Sequence, residues 1–154
     1  MSVSVTVRQA NSKDADEIAK LHARCFARGW TAREFAALLI QDGVHAWVAA
    51  TDDNAIDGFA VIRTVLDEAE ILTVAVDPER RRGGIGRALL IHAFAELDKN
   101  GVARCFLEVA QDNDAALGLY RRLGFEVTGK RANYYANPSQ GRVDAVTMTR
   151  IIAK

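Results

Sequence analysis

Two strands of this chain must run side by side in the same direction, and that requirement narrows the fold more than any other feature. Residues 71–76 alternate as a strand, residues 85–97 repeat apolar side chains at helical spacing through Ile85, Leu89, Ala93 and Leu97, and residues 102–110 are again strand-like. A strand, a crossover helix and a second strand make a parallel pair. Their neighbours are of the other kind: residues 45–50 and 56–66 flank the short turn Thr51-Asp52-Asp53-Asn54, whose length predicts an antiparallel pair. The sheet is expected to be mixed.

The remaining elements fill in around that sheet. Val3, Val5 and Val7 alternate over a first strand at 3–8. Asn11 or Ser12 can cap a helix that recurs in Ile18, Leu21 and Cys25, and Thr31 with Glu34 makes a capping box for a second helix ending near Asp42-Gly43. A helix over 113–123 stops at Gly124, and strands over 125–135 and 142–151 complete the order βααβββαβαββ. No linker or repeat interrupts this order. The expectation is an α/β fold in a single domain over residues 1–154, with one central, mixed, mostly antiparallel twisted sheet flanked by helices.

Composition removes several functions. With 49% hydrophobic and 26% charged residues among 154, the chain can bury about 68–70% of its unfolded surface without staples. Twenty Lys and Arg against twenty Asp and Glu leave no net charge for gripping nucleic acid or an anionic membrane. No stretch nears the ~20 apolar residues of a membrane span, and the first residues lack a signal-peptide pattern, so a cytoplasmic protein is expected. Cys25 and Cys105 form no CxxC and suit a reducing compartment. His22, His45 and His92 lack metal-ligand spacing, and no metal is expected.

The densest chemical signal is Asp77-Pro78-Glu79-Arg80-Arg81-Arg82-Gly83-Gly84-Ile85-Gly86-Arg87, between a strand and a helix. Arginines oppose the positive end of a helix dipole and clustered glycines cost backbone entropy, so the stretch is locally unfavourable unless an anion compensates. Glycines let N–H groups approach a phosphate, and the helix end supplies donors. Walker A is absent. A dinucleotide fingerprint begins with Gly84-x-Gly86 but fails, since Leu89 holds the third glycine position and residues 77–83 make the turn too long. A bound polyphosphate remains, against a plain solvated basic loop.

What is left is RxxGxG, in Arg81-Arg82-Gly83-Gly84-Ile85-Gly86, which resembles the acyl-CoA pyrophosphate loop of the GNAT N-acetyltransferases. Residues 113–125 resemble that family's second block, NxxAxxLYxxLGF. Cys25-Phe26, Trp30, Phe35, the strand 71–78, Leu107-Glu108-Val109 and Asn133-Tyr134-Tyr135 are similar to its bacterial ribosomal-protein-alanine N-acetyltransferases. One departure is Gly29, where those proteins commonly carry proline. The resemblance implies the GNAT fold, acetyl-CoA as co-substrate, and a protein or peptide N-terminus as acceptor, with the N-terminal alanine of a small-subunit ribosomal protein as target. It also implies that the main chain of Val74, Ala75 and Val76 meets the pantetheine arm and thioester, the Val76 N–H donating to the developing oxyanion. N–H groups of Arg82, Gly83, Gly84, Ile85, Gly86 and Arg87, with Arg81, would hold the pyrophosphate. Asn113 would bond the pantetheine arm, or else only cap its helix. Trp30, Tyr134 and Tyr135 would line the acceptor groove, the two tyrosines alternatively filling a half-buried strand.

Two side chains remain for proton transfer. Glu108 ends an otherwise apolar strand, where a carboxylate is out of place unless paired or functional, and it is the expected general base, directly or through one water. The alternative is a salt bridge with an arginine. Tyr120, in a helix that starts near the same strand end, is the expected general acid for the leaving thiolate, the alternative being a packing role. An α-amino group with a pKa of about 7.7–8.0 is roughly a tenth neutral at pH 7, whereas a lysine amine near about 10.4 is almost wholly charged. A modest base therefore suits an N-terminus. Acetylation of a small-molecule amine and a non-catalytic acyl-CoA-binding module are the competing readings.

Overall fold

The computed structural model describes residues 5–26, 28–50, 55–81, 83–137 and 141–152. Its elements follow the expected order: β1 (Thr6–Gln9), α1 (Ala15–Cys25), α2 (Ala32–Leu39), β2 (Val44–Ala50), β3 (Ile56–Val65), β4 (Glu68–Val76), α3 (Ile85–Lys99), β5 (Arg104–Ala110), α4 (Asp114–Arg122), β6 (Glu126–Asn137) and β7 (Gly141–Ile151). The strands form one sheet in the order β1-β2-β3-β4-β5-β7-β6. Only β4 and β5 are parallel, as the crossover helix between them requires. The last strand inserts between β5 and β6, pairing antiparallel with both.

Local signals explain the helices. Thr31 and Glu34 close their capping box at the start of α2, the Glu34 N–H donating to Thr31 Oγ1 at 3.0 Å and the Thr31 N–H to Glu34 Oε1 at 3.1 Å. Asn11 caps a single 3-10 turn, Ser12–Asp14, which feeds into α1. Alternation along the strands then divides the core. Trp47, Ala49, Ala60, Ile62, Cys105, Leu107 and Val109 face α3 and α4, while Ala46, Val48, Phe59, Val61 and Ala75 face α1 and α2.

Several details differ from the sequence reading, among them the end of α2, which comes at Leu39 rather than near Asp42-Gly43. Leu66 lies outside β3, in the tight turn to β4, at a φ of +57°. β4 starts at Glu68 because its first residues pair with both β3 and β5, a gain the alternation of residues 71–76 does not announce. β6 is irregular, with register shifts between Val127 and Gly129 and between Arg131 and Tyr135. The expected turn at 51–54, the start of the first strand at residues 3 and 4, and residues 138–140 of the last loop lie outside the described residues. Among the described residues no helix is long and apolar enough to cross a membrane.

Gly58 in β3 seats the crossover helix. A Cβ there would stand 2.9 Å from Ile85 Cγ2, 3.0 Å from Leu89 Cδ1 and 3.1 Å from the Ala75 carbonyl oxygen. Gly58→Ala is therefore expected to lower stability by about 1–3 kcal/mol through overpacking beneath α3, measured as a lower urea midpoint at unchanged m-value.

Candidate active site

The site begins with a gap in the sheet. β4 and β5 pair only through Glu68↔Arg104, Ala69↔Cys105 and Glu70↔Phe106. Beyond these, β4 runs to Val76 against β3 and β5 runs to Ala110 against β7, so the two strands part. Asp77 N–H donates to the Asp57 carbonyl at 2.7 Å, and Val76 stands opposite Gly58. Antiparallel alternation then commits the main chain of Ala75 to Phe59 and turns the N–H and C=O groups of Val74 and Val76 toward the gap. Of the three residues singled out in the sequence, these two have main-chain groups directed there.

The mouth of the gap is the start of α3. Gly84 sits at φ +81°, a left-handed conformation open to glycine, and offers no side-chain cap. The Ala88 N–H, donating to Gly84 at 2.9 Å, opens the helical bonding, which leaves the N–H groups of Ile85, Gly86 and Arg87 directed past the helix end. The first turn carries no acid to balance them. At Gly86 a Cβ would approach Leu119 Cδ2 to 3.3 Å and Val76 Cγ2 to 3.5 Å, so its absence keeps this end close to α4 and β4. Arg81 reaches back, its Nε donating to the Val76 carbonyl at 3.3 Å. Arg82 lies outside the described residues. Clustered donors without a countercharge fit a polyphosphate. The Thr73 hydroxyl in β4, buried and with no hydrogen-bond partner among the described residues, is a polar group that a ligand beside the strand would satisfy.

The two proton-transfer candidates occupy opposite faces. Leu107 and Val109 enter the core beneath α3 and α4, so Glu108 between them stands on the α1 and α2 face. Its Oε1 lies 3.3 Å from the Arg131 guanidinium, so a salt bridge occurs at the very carboxylate expected to act as base. Tyr120 is buried in the α3/α4 core, edge-on to Phe125 at 5.6 Å. The parting of β4 and β5 opens the sheet to both faces. Asn113 caps α4, its Oδ1 accepting from the Ala116 N–H at 3.1 Å, so any bond to a pantetheine amide would use its Nδ2.

On the α1 and α2 side, Trp30 is half-buried and stacks on His22 at 5.0 Å, with Phe35 5.4 Å from it. His22 is buried among these rings and Nδ1 accepts the Trp30 N–H at 3.1 Å. Gly29 in this loop packs closely, since a Cβ would meet Ala23 at 3.2 Å. The last turn of α1 ties to the end of β4: Arg24 donates to both Asp77 oxygens at 3.1 and 2.9 Å, and Cys25 Sγ to the Val76 carbonyl at 3.4 Å. Tyr134 is exposed on β6 beneath the Arg131 guanidinium, 4.4 Å from its ring centre. The Tyr135 main chain pairs with Val143, and its side chain lies outside the described part of the structure. Thr73, Arg131 and His22 were absent from the sequence-predicted site. Each takes its place from the packing of separate elements, and one histidine, threonine or arginine carries no local pattern.

Residues 15–125 match the family model described as the Acetyltransferase (GNAT) family. The chain is 38% identical over 143 residues to the ribosomal protein bS18-alanine N-acetyltransferase of Escherichia coli, covering 93% of this chain and 95% of that protein. With the N-alpha-acetyltransferase RimI of Mycobacterium tuberculosis it shares 37% identity over 152 residues, covering 95% and 92%. The crystal structure of the ribosomal-protein-S18-alanine N-acetyltransferase from Escherichia coli matches with a TM-score of 0.91 at 35% identity, covering 98% of this chain and 96% of that one.

Burial holds the His22 imidazole below its ordinary pKa of 6.5, Glu34 offsetting part of the effect. The unfolded chain therefore takes up this proton first, and stability that is complete above the ordinary value drains away as pH falls from there through the lowered one. Thermal melts from about pH 7.5 to about pH 5 are expected to show a falling Tm, and His22→Gln, which keeps an acceptor for Trp30, should flatten that decline.

Proposed function

The chain belongs to the GNAT acetyltransferase family, and from that premise we propose that it acetylates the N-terminal α-amino group of a protein, the N-terminal alanine of a small-subunit ribosomal protein being the favoured acceptor. One domain spanning residues 1–154 would carry the activity, in the cytoplasm where such an acceptor is made. The observation that carries this reading is the gap between β4 and β5, with the donor-rich start of α3 at its mouth.

Acetyl-CoA, when bound, supplies an activated thioester. Main-chain N–H groups of Gly83, Gly84, Ile85, Gly86 and Arg87 would hold its diphosphate, with Arg81 and Arg82 adding charge. Val74 and Val76 would hydrogen-bond the pantetheine arm, and the Val76 N–H would donate to the developing oxyanion. Glu108 would take the proton that the amine must lose, and Tyr120 would return one to the leaving sulfur. Trp30, Tyr134 and Tyr135 would border the acceptor. The acids nearby are matched by bases: Glu108 lies against Arg131, Asp144 against Lys130, and Arg142 donates to the Asn133 carbonyl at 3.2 Å. Such surroundings favour a single amino terminus over a polyamine, which calls for an acidic site.

Free-thiol release with a panel of alanine-starting peptides, lysine-only peptides and polyamines tests the acceptor. Turnover confined to the first group is expected, and none from any alanine-starting peptide would remove the N-terminal assignment. For the residues, Glu108→Gln and Tyr120→Phe should each lower kcat by about 10²- to 10⁴-fold while leaving acetyl-CoA affinity intact. Normal turnover in both variants would strip the two side chains of these roles.

A further inference from the structure

Resting on the reading of Glu108 as proton acceptor, we propose that Arg131 stands in for the ammonium group of the acceptor: it covers Glu108 in the free protein and yields to the arriving amino terminus, which makes it a determinant of acceptor affinity. The two carboxylate oxygens are not equivalent. Oε2 is sealed from solvent, so an amine arriving from outside, or a water bridging to it, meets Oε1, the oxygen that Arg131 contacts at 3.3 Å. Acceptor and arginine therefore compete for one atom.

Strand register makes this contact possible. Arg131 stands opposite Ala145 on β7, and Ala145 opposite Ala110 on β5. Glu108 lies in the adjacent row, opposite Thr147, which in turn faces Gly129. Small side chains in both rows give the long arginine a floor across β7, and it reaches Glu108 diagonally.

The contact is also built to release. The arginine side chain is 57% exposed, and ion pairs of that class are worth little in water. A second foothold waits beside it, the Tyr134 ring 4.4 Å from the guanidinium carbon. That ring sits on the irregular stretch of β6 between Arg131 and Tyr135, where Asn133 adopts φ +54° and its N–H donates to Asp144 Oδ1 at 2.9 Å. Leaving the carboxylate, the guanidinium keeps its aromatic contact. An α-amino group is mostly protonated at neutral pH, so one cation replaces another and Glu108 stays neutralised throughout.

The test is steady-state kinetics of the full chain with an alanine-starting peptide and acetyl-CoA each varied. Arg131→Met is expected to lower the acceptor KM roughly two- to five-fold, leaving kcat and the acetyl-CoA KM unchanged, while Arg131→Lys stays near the parent. A raised or unchanged acceptor KM, or a loss of kcat, in R131M would overturn the proposal and make Arg131 a group that grips the peptide or steadies the carboxylate. Should the parent protein turn over no such peptide, the N-terminal assignment fails by itself. The side-chain NMR resonance of Arg131 then decides: titration with alaninamide should move it toward its position in Glu108→Gln protein, and a resonance that stays put while alaninamide binds would sink the idea.

Discussion

The parting of β4 from β5 after three parallel pairs is the constraint on which the rest of the molecule depends. Buried strand edges with unmatched main-chain groups are costly, and proteins normally pair or cover them. Here each strand satisfies its other edge, β4 against β3 and β5 against β7, so the inner edges can separate without losing the sheet. What opens is a slot through the middle of the sheet, lined by N–H and C=O groups of Val74 and Val76.

Everything that surrounds the slot keeps its ends in place. Gly86 lets the start of α3 approach Val76, and Arg81 and Cys25 both donate to the Val76 carbonyl from different directions. Arg24 ties α1 to Asp77, whose carboxyl is held below its ordinary range first by the Glu79 N–H and then by that arginine. Cys105, the other thiol near this region of the sheet, is pushed up to about 12 by burial, the environment of a packed rather than a reactive thiol. The same opening joins the two faces of the sheet on which Glu108 and Tyr120 lie.

Some of this was legible along the chain. Thr31 and Glu34 announced α2, Ile85 through Leu97 announced the crossover helix, and the glycines of residues 83–86 announced the break between β4 and that helix. These are signals within a few residues of one another, where hydrogen bonds, helical period and backbone freedom act on neighbours. Other features carry no such signal. Gly58 reads as an ordinary strand residue until α3 is packed on it, and the irregular stretch at 131–135 shows only when β6 is paired with β7.

By itself, then, the sequence determined the order of elements, the one parallel pair and the glycine-opened start of the crossover helix, because periodicity and turn chemistry are short-range properties. Tertiary structure alone decided that β4 and β5 separate, that Val74 and Val76 rather than Ala75 face the slot, and that Arg131 comes to rest on Glu108. Register across three strands sets each of these, and register is a relation between segments that no local run of residues encodes.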